Sequence, residues 1–133
     1  MKKSVFNYFL VPFFFLLLVS TQCDDDIDLP TQEVEHQELT MLKTEIENLA
    51  SSSVCNETSE CKFSAFGSKP CGGPWSYIIY STSIDTDKLE ALIENYNNKE
   101  DAFNTKWGIV SDCSLAQLPS SVECKNNTCV PVF

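Results

Sequence analysis

Seven cysteines spread over 133 residues constrain this chain more than any other feature in it. So many thiols in so short a chain belong in an oxidising compartment, where they close into bridges. Cys23 stands apart, and Cys55, Cys61, Cys71, Cys113, Cys124 and Cys129 form an even set beyond it. Local spacing predicts the pairs. Cys124 and Cys129 flank Lys125-Asn126-Asn127-Thr128, which reads as two strands about an Asn-Asn turn, since Asn tolerates the positive φ of a two-residue hairpin. Lys125 then faces Thr128, and Cys124 opposes Cys129 in a non-hydrogen-bonded pair close enough to bridge. Cys55 and Cys61 bracket a polar segment and are expected to pair across it, which leaves Cys71 for Cys113. Chain entropy assigns that long loop about 4 kcal/mol, against about 2 kcal/mol for the hairpin bridge. A zinc site is disfavoured by export and by the lack of a histidine beyond His36.

The first residues read as an address. Lys2 and Lys3 precede an uncharged apolar stretch at 8–19, well short of the roughly 20 residues a membrane span needs and suited to a signal-peptide core. Cys23 follows, then Asp24, Asp25, Asp26 and Asp28. This order resembles a bacterial lipoprotein signal, in which the cysteine becomes the lipid-bearing first residue. The acidic run is similar to the one that marks Bacteroidota lipoproteins for the cell surface. Gln22 and Ser20 stand where such signals usually carry a small and an aliphatic residue, so plain secretion after a cut near Thr21 is the alternative. The resemblance implies a signal at 1–22, lipid attachment at Cys23, and contact with the outer membrane through acyl chains rather than a spanning helix.

Charge divides the remainder. Residues 24–54 hold nine acids and one lysine, whereas residues 55–133 hold ten acids and six lysines. The chain has no arginine, and this balance excludes a nucleic-acid binder, which needs clustered cations. The acidic part at 23–54 reads as a solvated spacer, because its Asp run lacks the Gly and distal Glu of a calcium loop. Within it Thr31 can cap a helix, and Leu39, Leu42, Ile46 and Leu49 make a seam at steps of three and four. The expectation is a stalk helix that packs on its own domain, a short coiled-coil contact with another copy being the alternative.

Residues 55–133 are expected to form a disulfide-rich α+β domain, one long helix packed on a small antiparallel sheet. Strands are predicted at 62–67, at 75–81 and at 109–111, with a hairpin at 121–125 and 128–132. The segment Trp75-Ser76-Tyr77-Ile78-Ile79-Tyr80-Ser81 is apolar on both faces and so reads as a central strand. Asp85 to Asp87 supply a cap, and apolar residues from Leu89 to Trp107 recur at helical spacing before Gly108, a C-cap. The Asn97-Asn98 pair weakens that helix without breaking it. So small a core is marginal without bridges.

Catalytic parts are missing from the pattern. His36 lies in the acidic stretch with Glu35 and Gln37 beside it, reads as solvent-exposed, and is placed too far from the domain to serve a nucleophile. No phosphate loop or ligand cluster appears, no cofactor is implied, and the chain is expected not to be an enzyme. The most unusual segment is 67–77, Gly-Ser-Lys-Pro-Cys-Gly-Gly-Pro-Trp-Ser-Tyr. Lys69, Pro70, Gly72, Gly73, Pro74, Trp75 and Tyr77 are its candidate recognition residues, on a backbone stiffened by two prolines and a bridged Cys71. This string, with Ser111-Asp112-Cys113 and the cysteine hairpin, resembles an uncharacterised family of small exported, Bacteroidota-like (lipo)proteins. The resemblance covers residues 55–133 and implies no activity. The functional expectation is a surface-anchored binding or structural module for a protein or glycan. The alternative is a secreted protease inhibitor that presents the Cys71-braced loop, with Lys69 as its specificity residue.

Overall fold

The computed structural model describes residues 31–133, so the signal segment and Cys23 lie outside the described residues. Two helices and two small antiparallel sheets make an α+β fold. Helix α1 spans Gln32–Ser51, and the Thr31 hydroxyl at its N-cap accepts from the Val34 amide. Strands β1 (Cys61–Phe66) and β2 (Ser76–Ser81) pair in one ribbon, with Cys61 opposite Ser81 and Phe66 opposite Ser76. Helix α2 spans Thr86–Trp107, capped by the Asp85 carboxylate and closed by Gly108 at φ 61°. Strands β3 (Ser121–Lys125) and β4 (Thr128–Val132) form a hairpin about Asn126 and Asn127, both at positive φ.

The elements stack in layers. Phe66 meets Tyr96 of α2, and the Tyr80 hydroxyl donates to Glu90 of α2, so one face of the β1–β2 ribbon lies on the helices. Its other face carries Phe63 and Tyr77, edge to face at 5.9 Å, and lies toward the β3–β4 hairpin. β2 is therefore apolar on both faces because its ribbon is the middle layer, although it pairs with β1 alone. The expectation of a central strand is corrected: alternation reports what covers each face and not how many neighbours share the ladder.

The helix of the acidic stretch packs on its own domain as expected, which corrects the reading of that stretch as a solvated spacer. Leu39, Ile46 and Ala50 of α1 are buried in one cluster with Leu89, Ile93, Tyr96 and Phe103 of α2, and Ile46 is fully enclosed. Burying a side chain of that size stabilises by about 1.5–3 kcal/mol, far more than a solvated spacer would forgo. Past α1 the chain stays attached. The Ser81 amide donates to the Ser53 hydroxyl at 3.0 Å, and the Ser81 hydroxyl donates to the Val54 carbonyl at 2.9 Å. His36 is exposed, yet its ring centroid is 6.1 Å from that of Phe103, so it lies against the domain rather than away from it.

Two of the expected bridges are replaced. Cys55 joins Cys124 and Cys61 joins Cys129, while Cys71 joins Cys113. Cys124 does oppose Cys129 in the hairpin register. Such opposed residues send both side chains off the same face, and their Cα atoms at about 4.5 Å sit at the short limit for a bridge. The Cys55–Cys61 segment lies against that face, as the Cys55 amide bonding to the Asn127 carbonyl at 3.1 Å attests. It offers both thiols partners at Cα separations of 5.8 and 5.6 Å, in the relaxed range. Loop 55–61 needs no bridge of its own, because the Asn56 carboxamide accepts from the Thr58 amide and from the Thr58 and Ser59 hydroxyls. Residues 109–111, expected as a third strand, join neither sheet.

Candidate recognition surface

One end of the molecule is built from the turn at 67–75, the outer edge of α2 and the connection from α2 to β3. Asn97, Glu100, Asp101 and Asn104 fall at steps of three, one and three, hence on one helical edge. That edge grips backbone. The Asn97 side chain accepts from the Gly67 amide at 2.7 Å and donates to the Ala65 carbonyl at 3.1 Å. Glu100 accepts from the Ser68 amide at 2.6 Å, Asn104 donates to the Ser68 carbonyl at 2.7 Å, and Asp101 accepts from the Ser68 hydroxyl. The Tyr96 hydroxyl donates to the other oxygen of Glu100, and burial pushes that phenol well above its ordinary range. The Asn97-Asn98 pair that reads as a weakness in the helix thus contains its best clamp.

Glycine is required where this edge meets the turn. Gly67 has φ +82°, and a Cβ there would lie 2.6 Å from Cδ1 of Trp75 and 2.9 Å from Oε2 of Glu100. Beyond it the turn closes on itself, the Lys69 amide donating to the Gly73 carbonyl and the Gly72 amide to the Lys69 carbonyl. Gly72 and Gly73 both hold positive φ, which glycine adopts without strain.

Lys69 is turned inward, with only 6% of its surface exposed. Its ammonium donates to the Ser114 carbonyl at 2.6 Å, the Ser114 hydroxyl at 3.2 Å and Asp112 Oδ1 at 3.4 Å. Three acceptors match the three donors of an ammonium, and the charge also sits 4.8 Å from the centroid of the Trp75 ring. The Ser114 hydroxyl and then the Lys69 charge hold the Asp112 carboxyl below its usual range. A lysine so enclosed cannot enter a partner's pocket. Of the other expected loop residues, Pro70, Gly72 and Gly73 are exposed at the tip and Pro74 and Tyr77 are half-buried.

Trp75 keeps 42% of its surface exposed. It opens onto a groove of about 290 Å³ whose one wall is Trp75, Tyr77 and Ile79, alternate residues on one face of the chain through β2. Pro131 and Phe133 form a second wall, and Ala116, Gln117 and Pro119 of the α2–β3 connection form the third. Phe133 in its wall is 63% exposed, and Leu115 and Leu118, neighbours in sequence of its lining residues Ala116, Gln117 and Pro119, are 89% and 60% exposed. Trp75 and Tyr77 were legible as candidates. Leu115, Leu118 and Phe133 were not, because a lone exposed aliphatic residue has no signature in sequence.

The remaining cluster of metal-ligating types among the described residues is Cys55, Cys61 and Cys129, and all three are engaged in bridges. No described helix is long and apolar enough to cross a membrane. Three bridges indicate an oxidising, extracellular setting. Compared with known proteins, the chain matches no family model, no curated protein and no solved structure.

Proposed function

We propose that the chain is an exported, non-enzymatic binding module, carried at a bacterial surface by a lipid on Cys23, that engages a protein partner at the end bearing Trp75. The observation that supports this most is the exposure of Trp75, Leu115, Leu118 and Phe133 on backbone held by a bridge, a buried lysine and the polar edge of α2. Apolar groups on a rigid frame associate with little loss of conformational entropy, and aromatic anchors dominate binding energies. Ile79, Ala116, Pro119, Pro131 and Phe133 give the groove a largely apolar lining, which favours a polypeptide over a glycan.

Recovery of surface and secreted proteins on the immobilised chain, compared with its Trp75→Ala and Phe133→Ala variants, tests the reading. A specific partner lost from both variants, with all three bridges intact by mass, supports it. Equal recovery by all three proteins removes the groove. Intact mass of the exported chain tests the anchor, which predicts acyl mass on a product that begins at Cys23.

A further inference from the structure

Residues 109–119 run from the end of α2 toward β3 without a turn or a bend, and no backbone group from 110 to 119 is hydrogen-bonded to another backbone group. The segment joins neither sheet, and its backbone is open to a pairing strand except where Lys69 takes the Ser114 carbonyl. Its most exposed side chain in the middle is Leu115, 89% accessible between the small residues Ser114 and Ala116. On the near side Cys113 is bridged to Cys71, and the buried Lys69 ammonium holds the Ser114 carbonyl. On the far side Pro119 is buried, and the Ser120 amide donates to the Val132 carbonyl at 2.7 Å. An exposed apolar side chain therefore stands on an extended backbone secured a few residues away in both directions.

Endopeptidases bind their substrates in this form, an extended strand whose main chain pairs with the cleft while one side chain fills a specificity pocket. A flexible strand would be cut and released. One whose two flanks are fixed to the same body keeps its ends together and binds with its ordering already in place. We infer that residues 112–118 occupy the active-site cleft of an extracellular endopeptidase with an apolar specificity pocket, Leu115 being the inserted side chain and the chain acting as inhibitor. This rests on the binding-module reading and names its partner class. It also moves the inhibitory element away from Lys69, which positions the strand from behind through Ser114.

The test uses the full exported chain, its three bridges verified by mass, against chymotrypsin, pancreatic elastase and subtilisin, with trypsin as the mismatched enzyme. Inhibition of at least one of the first three with a dissociation constant below about 1 μM is expected, with trypsin untouched. Leu115→Gly should weaken it about 100-fold, the size of a central anchor. Leu115→Lys should move inhibition to trypsin, a change that no loss of folding could produce. The proposal is overturned if none of the three enzymes is slowed at about 10 μM, if the bond after Leu115 is cut rapidly and completely, or if Leu115→Gly inhibits as well as the parent. It is equally overturned if the exposed strand proves to join two copies of the chain and Leu115→Gly merely makes it monomeric. In any of these outcomes, continued loss of a captured partner in Trp75→Ala leaves the binding module standing, and its absence removes both.

Discussion

The two ends of this molecule are held by different means. At one end Cys55–Cys124 and Cys61–Cys129 run side by side between the same two segments. At the other a single bridge, Cys71–Cys113, is joined by the Lys69 clamp and by four polar side chains of α2. Paired bridges are redundant, because once one has closed its large loop the second closes only a small ring. The single bridge has no such partner, and its neighbours fix conformation more than they add stability. The stapled end thus secures the fold, whereas the clamped end secures the shape of an exposed strand.

The largest expected effect follows from that redundancy. Closing a loop of about 70 residues is worth about 4 kcal/mol, while the second bridge, acting on a ring of roughly a dozen residues, adds about 3 kcal/mol. Removing Cys55–Cys124 or Cys61–Cys129 alone should therefore cost about 3 kcal/mol in denaturant titration, and removing both about 7 kcal/mol. The double loss falls within the whole stability of a small domain and should leave the chain unfolded. If either single removal costs as much as both, the bridges are not redundant and the contrast between the two ends fails.

Next in size is Ile46→Ala. Ile46 is fully enclosed between α1 and α2, and cutting it back should cost about 2–5 kcal/mol. A change under about 0.5 kcal/mol would restore the solvated-spacer reading of α1, for surface substitutions rarely exceed that.

Lys69→Met comes third and acts at the clamped end. Global stability should fall by about 1–3 kcal/mol, typical of losing a hydrogen-bonded charge, while exchange of the bonded turn amides of Gly67, Ser68 and Gly72 rises far more than in the helices. Uniform acceleration throughout the chain would show Lys69 to be an ordinary core residue rather than a clamp on this end.

The contrast between the ends also explains what the sequence could reveal. Local patterns were decisive where neighbours in sequence make the structure. The Asn126-Asn127 turn, the Asp85 and Gly108 caps and the 22-residue length of α2 all depend on residues within a few positions of one another. The seam of Leu39, Leu42, Ile46 and Leu49 was equally visible, but its partner was not, and nine acids against one lysine in 24–54 argued for solvent. On α1 the carboxylates of Glu33, Glu38, Glu45 and Glu47 are exposed, which leaves the seam free to pack. The cysteine pairs show the same limit. Spacing brings Cys124 opposite Cys129, yet only the stacking of one ribbon on the other decides where their side chains lead. At the candidate site Trp75 and Tyr77 had a chemical signature, while Lys69 read as a recognition residue presented by the loop. Its burial depends on Asp112 and Ser114, more than forty residues away, which no local window contains.

The smallest effect is a pH dependence that separates the two regions. Asp112 at the clamped end and Glu35 at the helix pair both have carboxyls held below the ordinary range, the first by the Ser114 hydroxyl and then Lys69, the second by Lys106 and then the Trp107 indole. A depressed folded value contributes stability that is complete above the unfolded value of about 4 and is lost as pH falls through the folded one. Both groups are within reach of solvent and salt, so the loss should be modest and screened. Its location is the informative part. The Trp107 Nε1–H donates to Glu35 at 2.7 Å, and the Trp75 ring lies beside the Lys69 ammonium that Asp112 also contacts. Below about pH 4, the Trp107 indole resonance should shift in the parent and in Asp112→Asn but not in Glu35→Gln, whereas the Trp75 resonance should shift in Glu35→Gln but not in Asp112→Asn. Both resonances moving together in every variant would mean that acid loosens the molecule as one unit, and that the Lys69 clamp and the Glu35 contact between the helices are not independently held.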